Sequence, residues 1–327
     1  MLQQAYQQLI TSHHNNHLST TPGGNGKPKH VLAANDLSKE EIRLILDTAK
    51  FVKRQRLSNP TLVAPIANRM MAMIFEKQSL RTRVSFETGF HELGGHAIYL
   101  TKADIEMGKR ESIADTARVL SNWATMIVAR LYRQTDIEEL AKWSTVPVIN
   151  ALTDKEHPCQ ALADLLTIEE VFGTDKLKLT WIGDGNNVCN SFATLAAKLG
   201  HEVVICTPAG YESDEIAYTF PNVTQVYNPE LAVQGAHAVY TDVWVSMGQE
   251  EESEERMRRF AKFQVSEELM KHADPNAIFL HCLPAVRGLE VTEAVIDGPQ
   301  SAVFHQSDNR LHAQKALMSL ILDGVIA

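Results

Sequence analysis

The sequence predicts an α/β protein: two doubly wound parallel-sheet domains joined by bridging helices, with the C-terminal helix returning to the first domain. Three observations carry that prediction. Short apolar runs at residues 70–75, 126–130, 179–182 and 277–281 have the length and continuity of strands buried on both faces. Segments of helical period lie between them, and alternation of this kind implies a parallel sheet covered by helices. The pattern also restarts after Asn150, and 327 residues at 44% hydrophobic content exceed what one ordinary domain requires.

Residues 1–29 hold His13, His14, His17, Pro22, Gly23, Gly24 and Gly26 among Gln, Asn, Ser and Thr. With little to bury, they read as a flexible extension. They lack the Arg content of a mitochondrial presequence and the apolar core of a secretory signal. The three histidines offer a weak metal site as an alternative to a plain solvated tail.

The first folded domain, residues 30–150, enters a helix at Ser38-Lys39-Glu40-Glu41, where a Ser cap is followed by Glu three positions on. Ile42, Ile45, Leu46 and Ala49 then share a face. After the strand at 70–75, Val84, Phe86 and Phe90 indicate a helix, which Gly94 and Gly95 end before a strand at 97–100. Residues 102–111, polar and interrupted by Gly108, read as a surface loop. A helix at 113–123, a strand at 126–130, a helix at 137–143 and a strand at 146–150 complete the domain.

The second domain, residues 151–310, opens with a long helix over 161–172, with Pro158 suited to its first turn. A strand at 179–182, the turn Gly183-Asp184-Gly185-Asn186-Asn187 and a helix at 188–199 follow. Further strands are predicted at 201–206, 238–243 and 277–281, the last two separated by a charged helix around 250–263. The terminal helix, about 311–322, is assigned with residues 311–327 to the first domain.

The net charge of -9 argues against a nucleic-acid backbone as partner, although arginines can still gather locally around an anion. Cys159, Cys189, Cys206 and Cys282 lie far apart without C-x-x-C spacing, which argues against a zinc ribbon or a disulfide framework and fits a reduced compartment such as the cytoplasm. No apolar run approaches the ~18 residues of a membrane span.

Several polar groups fall at strand or helix ends, where ligands collect on sheets of this type. The run Glu76-Lys77-Gln78-Ser79-Leu80-Arg81-Thr82-Arg83 joins a strand to a helix start, whose unpaired N–H groups and positive dipole favour an anion. Ser79 and Thr82 add hydroxyls, and Arg81 and Arg83 add guanidinium forks suited to phosphate oxygens. The simpler reading is an N-cap Ser followed by two solvated arginines.

In His157-Pro158-Cys159-Gln160 an imidazole and an amide stand at a helix start, placed either to donate to a polarised carbonyl or merely to cap and pack. Arg130, at a strand end, faces a choice between substrate contact and an interdomain ion pair. Asp242, in Asp242-Val243-Trp244-Val245-Ser246-Met247-Gly248, could hold or deprotonate an amine, or cap a helix. In His281-Cys282-Leu283-Pro284 the thiol is a wall residue rather than a nucleophile, since no base or helix start is assured beside it. Asn309-Arg310-Leu311-His312 is expected to open the terminal helix and so to set Arg310 at an anion-favouring end. Gly183 to Asn187 resembles a dinucleotide turn but lacks the third glycine, Val188 standing in its place, so a nicotinamide dehydrogenase is the weaker alternative.

Taken together, S-x-R-T-R at 79–83 and H-P-C-Q at 157–160 resemble the aspartate/ornithine carbamoyltransferase family, and the likeness runs from about Val31 to the C-terminus. D-x-x-x-S-M-G at 242–248, H-C-L-P at 281–284 and the W-I-G-D-G-N-N run at 181–187 are similar to its ornithine-using branch. The resemblance implies an enzyme, a carbamoyltransferase without metal or organic cofactor. Its substrates would be carbamoyl phosphate and L-ornithine, and its products L-citrulline and phosphate.

It further implies that Ser79, Leu80, Arg81 and Thr82 cradle the phosphate, while Arg130, His157, Gln160 and Thr82 contact the carbamoyl group. Cys282 and Leu283, through backbone carbonyls, and Arg310 would complete that recognition, with Arg130, His157, Cys282 and Arg310 as the catalytic set. Asn187, Asp242, Ser246 and Met247 would bind ornithine. Within the family, putrescine or an N-acylated ornithine is the competing acceptor.

A homotrimer, or a multiple of trimers, with sites shared between subunits is implied by resemblance alone, as is movement of the 246–248 loop with closure of the domains. Two departures stand out. The family's Gln or His that reaches a neighbour's phosphate aligns with Glu106, so Lys102, Lys109 or Arg110 is the expected substitute. Val286 stands where many relatives carry His.

Overall fold

The computed structural model describes residues 28–58, 66–245 and 250–326. The expected extension therefore falls almost wholly outside the described residues, as do Ser246 and Met247. The chain divides into two compact units, Met1–Leu166 with Arg310–Ala327, and Thr167–Asn309. Each holds one all-parallel sheet, with helices between successive strands.

In the first unit the strands are β1 (Met70–Phe75), β2 (His96–Thr101), β3 (Met126–Arg130) and β4 (Val148–Leu152), and the helices are α1 (Lys39–Ser58), α2 (Leu80–Glu92), α3 (Lys102–Ile105), α4 (Ile113–Trp123) and α5 (Gln134–Trp143). The sheet order is β2-β1-β3-β4. Chain leaving β1 turns toward one edge and chain leaving β3 toward the other, so a topological switch point opens between their carboxyl ends. β1 and β3 are buried almost throughout, as their unbroken apolar runs require. Ala72, Ile74, Ile127 and Ala129 pack on Ile113 and Ala117 of α4 and on Ile137 and Leu140 of α5. The β3–β4 register slips between Ala129 and Arg130, so that Ala129 faces Asn150 and Arg130 faces Leu152. Such an irregularity re-aims a side chain at a sheet end.

In the second unit the strands are β5 (Lys178–Ile182), β6 (Glu202–Cys206), β7 (Val223–Val226), β8 (Ala238–Thr241) and β9 (Ile278–His281), in the order β7-β6-β5-β8-β9. Here the switch point lies between β5 and β8. α6 (Pro158–Phe172) leads in, and α7 (Asn187–Leu199), α8 (Pro229–Val233), α9 (Ser253–Phe260), α10 (Glu267–Met270) and α11 (Glu293–Ile296) follow. The final helix, α12 (Val303–Leu322), is buried along almost all of residues 312–321 and meets α2 at Gly89. A Cβ at Gly89 would stand 3.0 Å from Lys315 Cγ and 3.4 Å from Met318 Cε, so the missing side chain admits the crossing helix. Lys315 Nζ, wholly buried, is neutralised by Glu92 at 2.6 Å.

The structure differs from the sequence expectation in four places. α12 begins at Val303, eight residues before the expected start, so Arg310 lies two turns inside the helix and gains nothing from its N-terminal dipole. Residues 102–111 are not only loop: α3 forms first, and a bridge joins Met107 to Glu111. The charged segment around 250–263 is one short α-helix flanked by 3-10 turns. β7, α8, α10 and α11 were not expected. These helices are four or five residues long, too short for a periodic signal, and exist because they bury Ala232, Val233, Leu269, Met270, Val295 and Ile296 in the second core.

Candidate functional site

In the first unit the switch point gathers cations. Ser79, in extended backbone, caps α2 by accepting the Thr82 N–H at 3.2 Å, so the first turn of the helix faces outward from the end of β1. Leu80 is 75% exposed and apolar, so its backbone is the polar contribution it makes to the turn. Thr82 is buried, and its hydroxyl accepts from Arg310 Nη2 at 3.2 Å and, at a long 3.5 Å, from Arg130 Nη1. Arg130 ends β3 beside this turn, and its carbonyl holds the Glu76 N–H at 2.9 Å. The neighbouring Tyr132 N–H binds Glu76 Oε2 at 3.0 Å, closing the loop above β1 and β3.

His157 accepts the Gln160 N–H at 3.0 Å through its carbonyl and so caps α6. Gln160 Oε1 accepts from Arg310 Nη1 at 2.5 Å, while its Nε2 donates to the buried Asp164 at 2.8 Å. That amide passes the Asp164 charge on to Arg310 and is fixed in orientation by doing so. His157 is buried, and burial first, then the positive charges of Arg310, Arg130 and Arg81, hold its pKa well below the usual imidazole value. The ring is therefore neutral at pH 7. Arg81, Arg130, His157, Gln160, Arg310 and Thr82, expected from four separate sequence runs, are brought together. Cys159 is not part of this chemistry: it is wholly buried, bonds the Asn150 carbonyl at 3.5 Å, and has its thiol pushed up to about 12.

Arg83 points elsewhere, pairing with Glu87 at 3.3 Å and lying 3.8 Å over the Tyr99 ring. It braces α2 against β2. Two participants had no sequence signal of their own. Ser85 and Gln314 join α2 to α12 through a 3.0 Å hydrogen bond, and only the pairing of those two helices reveals it.

In the second unit the switch point gathers a carboxylate with neutral donors. Asp242 follows β8 and is buried; Asn186 Nδ2 donates to one oxygen at 2.8 Å and Cys282 Sγ to the other at 3.1 Å. Asn186 also caps α7, accepting from the Val188 and Cys189 N–H groups. The sequence expectation singled out Asn187, whereas Asn186 makes the contact to Asp242; Asn187 is half-buried beside it and accepts the Val188 N–H at 3.0 Å. The turn leaves no room for a side chain at Gly185, where a Cβ would stand 2.2 Å from Ser213 N. Asp184 turns inward to a buried ion pair with Arg256 at 2.9 Å, which also binds the Trp244 carbonyl at 3.0 Å. Burial nevertheless pushes the Asp184 carboxyl up to about 6, against the pull of Arg256.

Cys282 and Leu283 follow β9. Leu283 has φ +56°, an uncommon conformation for a non-glycine residue and one associated with functional sites. Its N–H donates to His281 Nδ1 at 2.9 Å, which leaves Nε2 to donate to Glu290 at 3.2 Å. Asp242, His281 and Cys282 each place a potential ligand atom within 4.8 Å of the others. The His281 ring is committed elsewhere, Nδ1 accepting from the Leu283 N–H and Nε2 donating to Glu290, which leaves Asp242 and Cys282 as at most two ligands. Among the described residues, no helix is long and apolar enough to cross a membrane. Glu106 is exposed with φ +41°, and Val286 is 48% exposed.

Residues 29–170 match the carbamoyl-P binding domain of aspartate/ornithine carbamoyltransferases, and residues 175–321 match the Asp/Orn binding domain of the same proteins. The chain belongs to the aspartate/ornithine carbamoyltransferase family. Among members of that family, the anabolic ornithine carbamoyltransferase of Pyrococcus furiosus is 49% identical over 308 residues, covering 91% of this chain and 97% of that one. The ornithine carbamoyltransferase of Symbiobacterium thermophilum is 49% identical over 306 residues, covering 90% and 98%. Among solved structures, ornithine carbamoyltransferase from Pyrococcus furiosus aligns with TM-score 0.88 at 48% identity over 91% of this chain and 98% of its own. The Thermus thermophilus enzyme aligns with TM-score 0.83 at 43% identity over 90% and 99%. The carbamoyltransferase family thus accounts for both sheets, and the two matched domains meet the two switch points described above.

Proposed function

We propose that this chain is an ornithine carbamoyltransferase, moving the carbamoyl group of carbamoyl phosphate to the δ-amine of L-ornithine to give L-citrulline and phosphate. The observation that carries the reading is the opposition of charge between the sites: Arg81, Arg130 and Arg310 around His157 in one unit, Asp242 in the other. The first suits a phosphate dianion, the second a cationic amino acid. The names of the relatives favour ornithine over aspartate.

Ser79, Leu80, Arg81 and Thr82 hold the phosphate at the α2 N-terminus. Arg130, the neutral His157, Gln160 and Arg310, with the Cys282 and Leu283 carbonyls, recognise the carbamoyl group. Asn187, Asp242, Ser246 and Met247 bind ornithine, and Asn186 joins them by holding Asp242. The deprotonated δ-amine attacks the carbamoyl carbon, and negative charge builds on the carbamoyl oxygen opposite Arg130 and His157. The new C–N bond forms, the C–O bond to phosphate breaks, and the nitrogen gives up its remaining extra proton, for which departing phosphate is a base. Arg81 and the helix start stabilise the charge that leaves.

In this reading the unit of Met1–Leu166 with Arg310–Ala327 takes carbamoyl phosphate and Thr167–Asn309 takes ornithine, so His157, Gln160 and Arg310 serve carbamoyl phosphate although the expected boundaries, 30–150 with 311–327 and 151–310, left them in the ornithine domain. The enzyme works in arginine biosynthesis as a cytoplasmic homotrimer or multiple of trimers. The biosynthetic direction is supported by the anabolic relative, the reduced compartment by four cysteines that form no disulfide with one another. Light scattering of the full chain tests the trimer, with a monomer as the contrary result. Citrulline formation measured with ornithine, putrescine, acetylornithine and aspartate tests the activity. A clear preference for ornithine is expected, and preference for another acceptor sinks the reading.

A further inference from the structure

Gln314 stands one turn beyond Arg310 on α12, buried to 1% exposure. Its Oε1 accepts from Arg310 Nε at 3.0 Å and lies 3.0 Å from Ser85 Oγ. The Ser85 proton is shared, because the Arg81 carbonyl lies at 2.6 Å and the Thr82 carbonyl at 3.3 Å. The guanidinium Nε–H, by contrast, has a fixed direction, and Oε1 meets it. Gln314 Nε2 is buried without a hydrogen-bond partner. An amide with half its capacity unmet is a poor packing residue, since Met fills the same space without an orphan donor. Turning the amide over would set donor against donor at Arg310 Nε. The orientation seen is the one that serves Arg310.

Three side-chain oxygens thus fix the Arg310 plane: Gln160 Oε1 at Nη1, Thr82 Oγ1 at Nη2 and Gln314 Oε1 at Nε. Thr82 and Gln160 belong to the site itself. Gln314 stands behind it.

We propose that Gln314 is a positioning residue for Arg310, its Oε1 setting the plane in which that guanidinium meets carbamoyl phosphate; this rests on the carbamoyl-transfer reading above. Ser85 ties the same oxygen to the carbonyls of Arg81 and Thr82, so the anion turn and the terminal helix share one hydrogen-bonded frame.

The test is steady-state kinetics of the full chain carrying Gln314→Met, Gln314→Glu, Arg310→Met and the double change Arg310→Met with Gln314→Met, with melting temperatures alongside. Gln314→Met is expected to raise KM for carbamoyl phosphate about tenfold, as loss of one hydrogen bond to a charged group implies. KM for ornithine at saturating carbamoyl phosphate should stay within about twofold, because Arg310 belongs to the unit that takes carbamoyl phosphate. Gln314→Glu restores an acceptor and should return KM to within about threefold of the unaltered enzyme. With Arg310→Met in place, adding Gln314→Met should change KM by less than about twofold, since a residue acting only through another has nothing left to position.

Multiplying effects in the double variant, or a Gln314→Glu enzyme as impaired as Gln314→Met, would overturn the proposal in favour of packing. If Gln314→Met does not fold, Gln314→Asn, which withdraws the amide by one methylene, gives the same comparison with and without Arg310→Met. Absence of ornithine carbamoylation by the unaltered chain fails the functional reading. Turnover with an unaffected Gln314→Met enzyme fails only the role of Gln314.

Discussion

The two switch points are built alike and charged in opposite ways. Each lies at the carboxyl ends of adjacent parallel strands, β1 and β3 in one unit, β5 and β8 in the other. Each is bordered by a helix capped by a polar side chain, Ser79 on α2 and Asn186 on α7. In the first, arginines crowd a neutral imidazole and share a single threonine hydroxyl. In the second, one carboxylate is held by a thiol and an amide. The same backbone device therefore serves opposite ligands, and the side chains at strand ends decide which. A helix start alone favours anions in both places; Asp242 overrides that preference in the second.

The largest effect should come from removing the fork at the anion turn. Arg81→Ala is expected to lower kcat/KM by about 10²–10³, the usual loss for one donor to developing negative charge, with the melting temperature nearly unchanged. Near-normal turnover would break the contrast at its strongest point. Next, Cys282→Ala removes one of the two donors to Asp242 and should raise KM for ornithine about tenfold, leaving KM for carbamoyl phosphate near its original value. An equal effect on both substrates would show that the Cys282 thiol, and not only its backbone carbonyl, serves the carbamoyl group.

The crowding of His157 makes a pH prediction. Its pKa is depressed in the folded chain by burial and then by Arg310, Arg130 and Arg81, so stability from this group is full above its ordinary value near 6.5. It is lost as the pH falls through the lower folded value. Ring-nitrogen NMR shifts of His157 should report a neutral imidazole at pH 6.5. Added inorganic phosphate, by offsetting the arginines, should move the titration upward; a ring half charged at pH 6.5 without phosphate contradicts the electrostatics. The smallest effect belongs to Arg83→Ala. Its ion pair with Glu87 is about half exposed, a kind of contact worth about 0.3–0.5 kcal/mol. KM for carbamoyl phosphate should stay within about twofold, and a loss comparable to Arg81→Ala would place Arg83 on the ligand.

Much of this was legible in the sequence because parallel strands buried on both faces leave unbroken apolar runs, and strand ends carry the polar residues. Ser79, Arg81, Arg130, His157 and Asp242 could be found that way. The start of α12 could not: His305, Gln306, Ser307, Asp308, Asn309 and Arg310 put a polar run ahead of Leu311, where the helix was expected to begin. α12 instead begins at Val303, and only the observed helix shows that Arg310 reaches Thr82 and Gln160 from mid-helix. The Asn186 contact to Asp242 carried no signal of its own, because the backbone alone sets which helix-start side chain reaches that carboxylate. Gln314 and Ser85 lie 229 positions apart, beyond any local pattern.

The division of labour between the two units is tested most directly by crossing two variants, Arg81→Ala and Asp242→Asn, with KM measured for each substrate while the other is saturating. Arg81→Ala should raise KM for carbamoyl phosphate by about tenfold or more and leave ornithine within about threefold, and Asp242→Asn should do the reverse. If both variants weaken the same substrate, or each weakens the substrate assigned to the other unit, the opposed-charge reading of the two sites is wrong.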